Sequence, residues 1–600
     1  MNFLTIKKAN WIVATVILAT SGMLATSCSK DKDKTAVEQT DQHEGTNLVL
    51  SINGINEGSN GSVKQGLSTT GKTKLNVKSY DDVDVVTAVD NNIPFTAASG
   101  VTVKNIGSGQ AAAANNSLRA AALPSGVTYR LYLLSADGTQ VLSSQQFTVG
   151  GTAVTVPVSA GQTYKWVALS YNNQDAIPTI TTGNTSLLMP ENKDVLYASG
   201  NVTIPSTPGS DVSLPITFNH VFSRLAIELN SMGIFGPMNS GTVSVSGLTL
   251  RTGTLNLATG TVTPEATTFT PTINWSSFTN IDPAFSDAKI AYAYTAGTAP
   301  LSNIVVSVSN LAITHADGVA RTYGSVNPIN IGFNLTPVLG NNHRLLANIV
   351  ESPLVSANNA TKWARSNLYY QAGHNPYRFY ADNAQTAATD GSGFFAFGSV
   401  IPRQLATAST NQDPCKLVYP AGLWRQPTHT DFQPYTTGDG LLSNILGNIL
   451  SLLVPAPAPG ATGDNNTGTF IEYPLAATNS GGGNPAFGAT SNALRFYYNG
   501  EITAVNLVNF DATSGLINLN FGTSRGRETA FWTNESGTNL LGPITLPGLG
   551  AWAFHAAKKQ TLTGTRFLGA QGTAEPLANI NLLGLSVVQS TFKNVRCVRN

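Results

Sequence analysis

A serine in a glycine frame, seven histidines and three cysteines are the residues of this chain with chemistry to offer. The serine, in Gly522-Thr523-Ser524-Arg525-Gly526, matches the sharp turn that raises a nucleophile in some hydrolases. Such a turn must lead into a helix, and no helical pattern follows here. In a chain with 56 glycines one match of this kind arises by chance. The histidines, among them His220, His315, His374, His429 and His555, are scattered with no HExxH or other paired spacing, so no zinc site is read. Asn534-Glu535, after Trp532, supplies fewer oxygen donors than calcium needs and is read as a surface loop. The expectation is a protein that is not an enzyme, with no metal and no cofactor. The cysteines remain.

Lys7 and Lys8 precede an apolar run from Trp11 to Ala19, too short to span a bilayer, and small residues end at Ala25-Thr26-Ser27. Residues 1–27 are therefore read as a secretory signal peptide. Cys28 follows, and then the charged stretch Ser29-Lys30-Asp31-Lys32-Asp33-Lys34. The arrangement resembles a bacterial lipoprotein, in which signal peptidase cuts before a cysteine that carries acyl chains. The resemblance implies a lipidated Cys28, a flexible tether over 28–45, and a surface-exposed protein attached to the outer membrane by lipid. Lipoproteins usually have leucine three residues before the cysteine, where this chain has Ala25, and Ala25-Thr26-Ser27 also suits ordinary signal cleavage. In an oxidising exported compartment the other two thiols, Cys415 and Cys597, are expected to pair. Two unpaired buried thiols are the alternative, because sequence separation alone says nothing about geometry.

The elements that must position these residues are mostly strands. Tyr129, Leu131 and Leu133 alternate before the turn Asp137-Gly138, and Val141 begins the return strand of a hairpin. Period-two runs follow at Val154, Val156, Val158; Tyr164, Trp166, Ala168; Val212, Leu214, Ile216, Phe218; Leu225, Ile227, Leu229; Val243, Val245; and Ile329, Ile331, Phe333, Leu335. Each is read with one face buried and the other wet, which predicts β-sandwich modules. A boundary is drawn near residue 210, at Pro205-Ser206-Thr207-Pro208-Gly209-Ser210. Six hundred residues allow about three or four domains. Charged residues are 11% and the net charge is +1, so there is no basic stripe for nucleic acid.

The stretches VTYRLYLLSADGTQV, AGQTYKWVALSYNN and DVSLPITFNHVFSRLAIEL resemble the fimbrillin family, subunits of type V fimbriae, over residues 45 to 350. The phrase Phe218-Asn219-His220-Val221-Phe222-Ser223-Arg224 is the most specific part. The resemblance implies two tandem transthyretin-like β-sandwich domains, over 46–210 and 211–350, made as a lipoprotein. It also implies assembly with other fimbrial subunits by donor-strand addition, after an Arg-specific protease removes an N-terminal strand. Arg119, in the small-residue stretch Asn115-Asn116-Ser117-Leu118-Arg119-Ala120-Ala121, is where such a cut is expected; an exposed loop arginine is the plainer reading.

Residues 351–600 read differently, through WARSNLYY, NPYRFY, DPCKLVYPAGLWRQPTHTDF, AFWTNES and VRCVRN. Their order resembles an α+β module related to C-type-lectin-like and formylglycine-generating-enzyme folds, with WRQPT where that group has WRLPT. The resemblance implies a helix after the phrase and a disulfide from Cys415 to Cys597, tying the last strand to that helix. Formylglycine chemistry needs a close cysteine pair near the C-terminus, and only Cys597 is there. Near 440–468 an insertion carries Leu442, Ile445, Leu446, Ile449, Leu450 and Leu453 on one helical face before Pro455, Pro457 and Pro459. It is read as a helix over the module's own core, or as one that docks a partner or touches lipid. Trp424 and Trp532 are read as core, and Tyr369, Tyr370 and Tyr377 as the contact surface for a glycan or protein. The resulting expectation is a fimbrial accessory or tip subunit, which accepts a donor strand and supplies none; the alternative is a surface lipoprotein that binds glycan or peptide without entering a fibre.

Overall fold

The computed structural model describes residues 45–57, 75–93, 95, 121–151, 154–180, 184–380, 391–404 and 412–435, and then 463–464, 470–476, 494–503, 510–511, 516–517, 520–521, 528–541, 544–561, 564–576, 579–582, 585–588 and 591–600. The fold is mainly β. In chain order the first strands are β1 (Thr46–Asn56), β2 (Asn76–Ser79), β3 (Asp84–Ile93), β4 (Thr128–Leu134), β5 (Val141–Thr148), β6 (Val154–Val158) and β7 (Thr163–Ser170). There follow β8 (Ser186–Leu188), β9 (Leu196–Thr203), β10 (Val212–His220), β11 (Ser223–Gly233), β12 (Met238–Ser246), β13 (Gly253–Asn256) and β14 (Val262–Pro264). The rest of this part is β15 (Thr279–Asp282), β16 (Phe285–Thr295), β17 (Leu301–Thr314), β18 (Ala320–Tyr323), β19 (Ile329–Leu335) and β20 (Asn342–Val350).

Seven strands form one sheet in the order β5-β4-β7-β9-β10-β1-β6. Leu48, Leu131, Leu133, Trp166, Ile216 and Phe218 share a core on one face, and Phe147 of β5 and Val156 of β6 reach it from the two edges. The sheet thus wraps its own core. On the other face Tyr132, Val167 and Leu169 pack with Leu255 of the small sheet β14-β13-β8 and with Leu257 just after β13. A second large sheet, β15-β16-β11-β20-β3-β2, faces a sheet built on β12-β17-β18 with β19, and Leu225, Ile227, Val306, Val308 and Ile331 fill the space between.

The boundary expected near residue 210 falls inside the first sheet, because Pro205–Ser210 is the connection from β9 to its neighbour β10. Turns and linkers share a composition, and the sequence reading could not tell them apart. The chain also crosses over early: β2 and β3 precede the first hairpin yet belong to the second large sheet. A further correction concerns the wet faces. Every residue of β11 and of β20 is buried.

What covers those faces is the C-terminal part. Its described residues are mostly strands, the longest Glu528–Leu541, Ile544–Thr561 and Gly564–Pro576 paired in one sheet, with the α-helix His429–Phe432 directly after WRQPT, capped by Thr428. Strand Val598–Arg599 lies between Lys362–Trp363 and Trp424–Arg425. Trp363, Phe432, Tyr435, Phe496, Phe531 and Phe554 form one aromatic core. Among the described residues no helix is long and apolar enough to cross a membrane.

Candidate functional site

The feature best suited to partner exchange is β1. It runs parallel to β10, with Leu48 opposite Val212, and antiparallel to β6, with Leu48 opposite Val156. Among the described residues β6 pairs with no other strand of the sheet, so its place in the sheet depends on β1. Leu48, Leu50 and Ile55 enter the core while Ser51 and Asn56 are exposed. Each of those three side chains contributes about 1.5 to 3 kcal/mol by burial. Besides the backbone pairing, polar contacts along its edges include Asn47 to Asp211 at 3.2 Å and Asn56 to Asn219 at 3.0 Å. Its far end meets Ala121 through two backbone hydrogen bonds to Ile55, of 2.7 and 2.9 Å. Ala121 lies two residues after Arg119. Arg119 itself, Cys28 and the apolar stretch 442–453 lie outside the described residues.

Beyond β1, Glu57 comes within 3.9 Å of His220 Nε2, while Asp194 is 2.8 Å from His220 Nδ1. Phe95 stacks on the imidazole with centroids 3.5 Å apart, and the Arg224 guanidinium lies 4.5 Å from the same phenyl ring. Burial by itself disfavours the imidazolium, but hydrogen bonding and charge from Asp194 and Glu57 outweigh it, so His220 titrates above its ordinary value. The sign follows: the stabilisation is complete below the unfolded histidine value of about 6.5 and is lost as pH rises through the folded one. His220→Gln is therefore expected to lower the thermal midpoint more at about pH 6 than at about pH 9, as checked by calorimetry at both.

Cys415 and Cys597 form a disulfide, as the resemblance implies. Both are buried against Trp424, Phe379 and Val595. Trp424 and Trp532 are core residues, fully buried. The tyrosines expected at a contact surface are placed otherwise. Tyr369 and Tyr377 are buried and Tyr370 is half-buried, with Tyr369 packed on Tyr380 and Tyr370 on Tyr377 at 4.6 and 5.2 Å between ring centroids. A short hairpin, Leu368–Tyr370 with Tyr377–Phe379, brings Tyr370 and Tyr377 together and packs Phe379 on Phe235. Asn534 and Glu535 bind the start of the helix: Asn534 N donates to Pro427 O, and His429 N donates to Glu535 Oε2, both at 2.9 Å. Among the described residues no group of three or more metal-ligating side chains comes together.

The residues that sequence reasoning missed lie between the second large sheet and the C-terminal part. Glu228 of β11 is fully buried, 3.5 Å from Arg344 Nη1, and Arg344 Nε donates to Asp90 at 2.9 Å. Tyr419 joins in, donating to Asn348 at 2.6 Å and accepting from Asn230 at 3.0 Å. His374 meets Asp287 at 2.7 Å, and Asn375 donates to the Met232 carbonyl at 2.8 Å. The available signal was the charge and amides inside otherwise apolar strands, Glu228 and Asn230 in one and Arg344 and Asn348 in the other.

No family model and no curated protein matches the sequence. Solved structures that align with parts of this chain include a Bacteroides fragilis protein assigned to cell adhesion, 13% identical over 51% of this chain and 96% of its own, with a TM-score of 0.28. Another is the fimbrial anchor protein Mfa2 of Porphyromonas gingivalis, 13% identical over 36% of this chain and 78% of its own, at a TM-score of 0.21. A third is a fimbrial assembly protein of Parabacteroides distasonis, 9% identical over 36% and 81%, also at 0.21.

Proposed function

We propose that this protein is a lipid-anchored surface subunit of a fimbria, which accepts a partner's strand in the position of β1 and presents its C-terminal part for adhesion. The observation that carries the reading is β1 itself: a strand buried on one face only, bracketed by two strands, whose end meets the chain just past Arg119. Hydrolysis after Arg119 would separate β1 from the body covalently, and its departure would leave β6 without its β1 partner and one edge of β10 open, β10 keeping its pairing with β9. A strand with alternating apolar residues then satisfies the same backbone groups and refills the Leu48, Leu50 and Ile55 pockets. Lipid on Cys28 supplies the membrane attachment, at the cell surface. Glycan or protein ligands of the C-terminal part belong to the same proposal, at surfaces other than Tyr369 and Tyr377.

Residues Val595–Arg599 are buried in the C-terminal part and tied to it by the disulfide, so this segment is not free to act as a donor strand. The reading therefore places the subunit at a fibre end. Immunogold labelling is expected at fibre ends, and Arg119→Ala should leave the protein unassembled at the membrane. Label spread evenly along the shaft would refute the position, and absence from fibres would favour a lone surface binder.

A further inference from the structure

The strands upstream of Arg119 differ in how they are held. On β1 burial alternates, one face in and one face out. At the start of β3 both faces are covered: Val85, with Val83 just before the strand, packs in the core of the second large sheet, while Val86 packs in a different core with Cys415, Trp424, Val595 and Cys597; farther along, Val89 and Asn91 are exposed. Asp84, between them, accepts from Ser352 Oγ and from Arg599 Nη2, both at 3.2 Å. Arg599 also donates to the Glu351 carbonyl at 2.6 Å and lies 4.1 Å from the Trp424 ring centre. Further along, Asp90 pairs with Arg344, Asn91 is 2.8 Å from His343 Nδ1, and the Phe95 carbonyl accepts from Arg224. Just before the strand, Asp82 accepts from Gly324 N at 2.7 Å.

We infer that the C-terminal part clamps β3, so that a cut after Arg119 frees the position of β1 for a partner strand while the N-terminal fragment stays bound to the body. The inference rests on the strand-acceptance reading above and adds to it the fate of the fragment. The physical reason is two-sided burial of Asp84–Val86 at the start of the strand, combined with the buried Asp84–Arg599 ion pair. A strand leaving a single-faced site exposes one row of side chains, but β3 can leave only if the C-terminal part also moves. That part is fastened beside it, because Arg599 is two residues from the Cys597 disulfide. Any lipid on Cys28 belongs to the retained fragment. Cleavage would then open the slot without detaching the protein from its membrane, which places the subunit at the membrane end of a fibre and not at the tip.

The test uses the full chain with Cys28→Ser and a site-specific protease sequence inserted after Arg119, so that it does not depend on natural processing. After cutting, the fragment is expected to co-elute with the body in size-exclusion chromatography. Arg599→Ala should release it at least about tenfold faster, the scale of losing one charge-assisted buried contact. Leu50→Asp, which damages β1 alone, should not release it. A fragment that leaves the unmutated body at once, or leaves the Arg599→Ala protein no faster, overturns the clamp. Should Arg599→Ala fail to fold, hydrogen exchange on the uncut protein decides: amides of β3 must exchange more slowly than those of β1, and equal rates overturn the inference. Entry of a synthetic Thr46–Asn56 peptide into the cut protein is read separately, so that failure of strand acceptance and failure of the clamp are told apart.

Discussion

Replacing Cys415 with serine should destabilise the C-terminal part by about 3 to 5 kcal/mol. The bond closes a loop across a sequence separation of 182 residues, for which chain entropy alone gives about 5 kcal/mol. Packing raises the stakes, since both sulfurs are fully buried beside Trp424. Without the bond, strand Val598–Arg599 is held between its neighbours by few backbone pairs, as both of them are two residues long. Four of the seven tryptophans, Trp363, Trp424, Trp532 and Trp552, lie in this part and report on it. In denaturant, the tryptophan-detected transition of Cys415→Ser should move to distinctly lower concentration. An unchanged midpoint would show that the loop is closed by packing alone.

Arg344→Ala should cost a comparable amount, about 3 to 5 kcal/mol, because it leaves a buried carboxylate without its counter-charge. Glu228 is fully buried, and burial already pushes its carboxyl upward against the opposing pull of Arg344. Loss of the guanidinium therefore favours a neutral Glu228 and strands Asp90 as well. The double substitution Glu228→Leu with Arg344→Met is expected to recover most of the loss, since an apolar pair of similar volume removes the desolvation penalty of both ions. Equilibrium unfolding of the two single variants and the double variant measures this coupling. Additive losses would mean that the pair does not act as a unit.

These two sites mark where the sequence was legible and where it was not. Period two located the strands well: Tyr129, Leu131 and Leu133 are on β4, Val154 to Val158 on β6, and Ile329 to Leu335 on β19. Alternation reports which residues share a face, but it cannot say what lies over the other face. Glu228 lies on the face of its strand read as wet, and it is instead roofed, together with Asn230, Arg344 and Asn348, by the C-terminal part, with Tyr419 bonded to both amides. The crossing of β2 and β3 into the second sheet was invisible for a related reason, since pairing partners are chosen by tertiary packing and not by local pattern. For the same reason Tyr369 and Tyr377 read as a surface and turned out buried, as aromatic composition does not distinguish a platform from a core. The disulfide was legible from the count of two remaining cysteines in an exported chain and from the resemblance, but not from geometry, which two cysteines in sequence do not carry.

The central claim is that β1 is exchanged for a partner's strand after the chain is cut near its end. It is tested most directly by N-terminal sequencing of this protein recovered from sheared fimbriae and, separately, from membranes. The account predicts fibre-associated protein whose body begins at Ala120. Protein found in fibres with the bond after Arg119 intact in every molecule would contradict it.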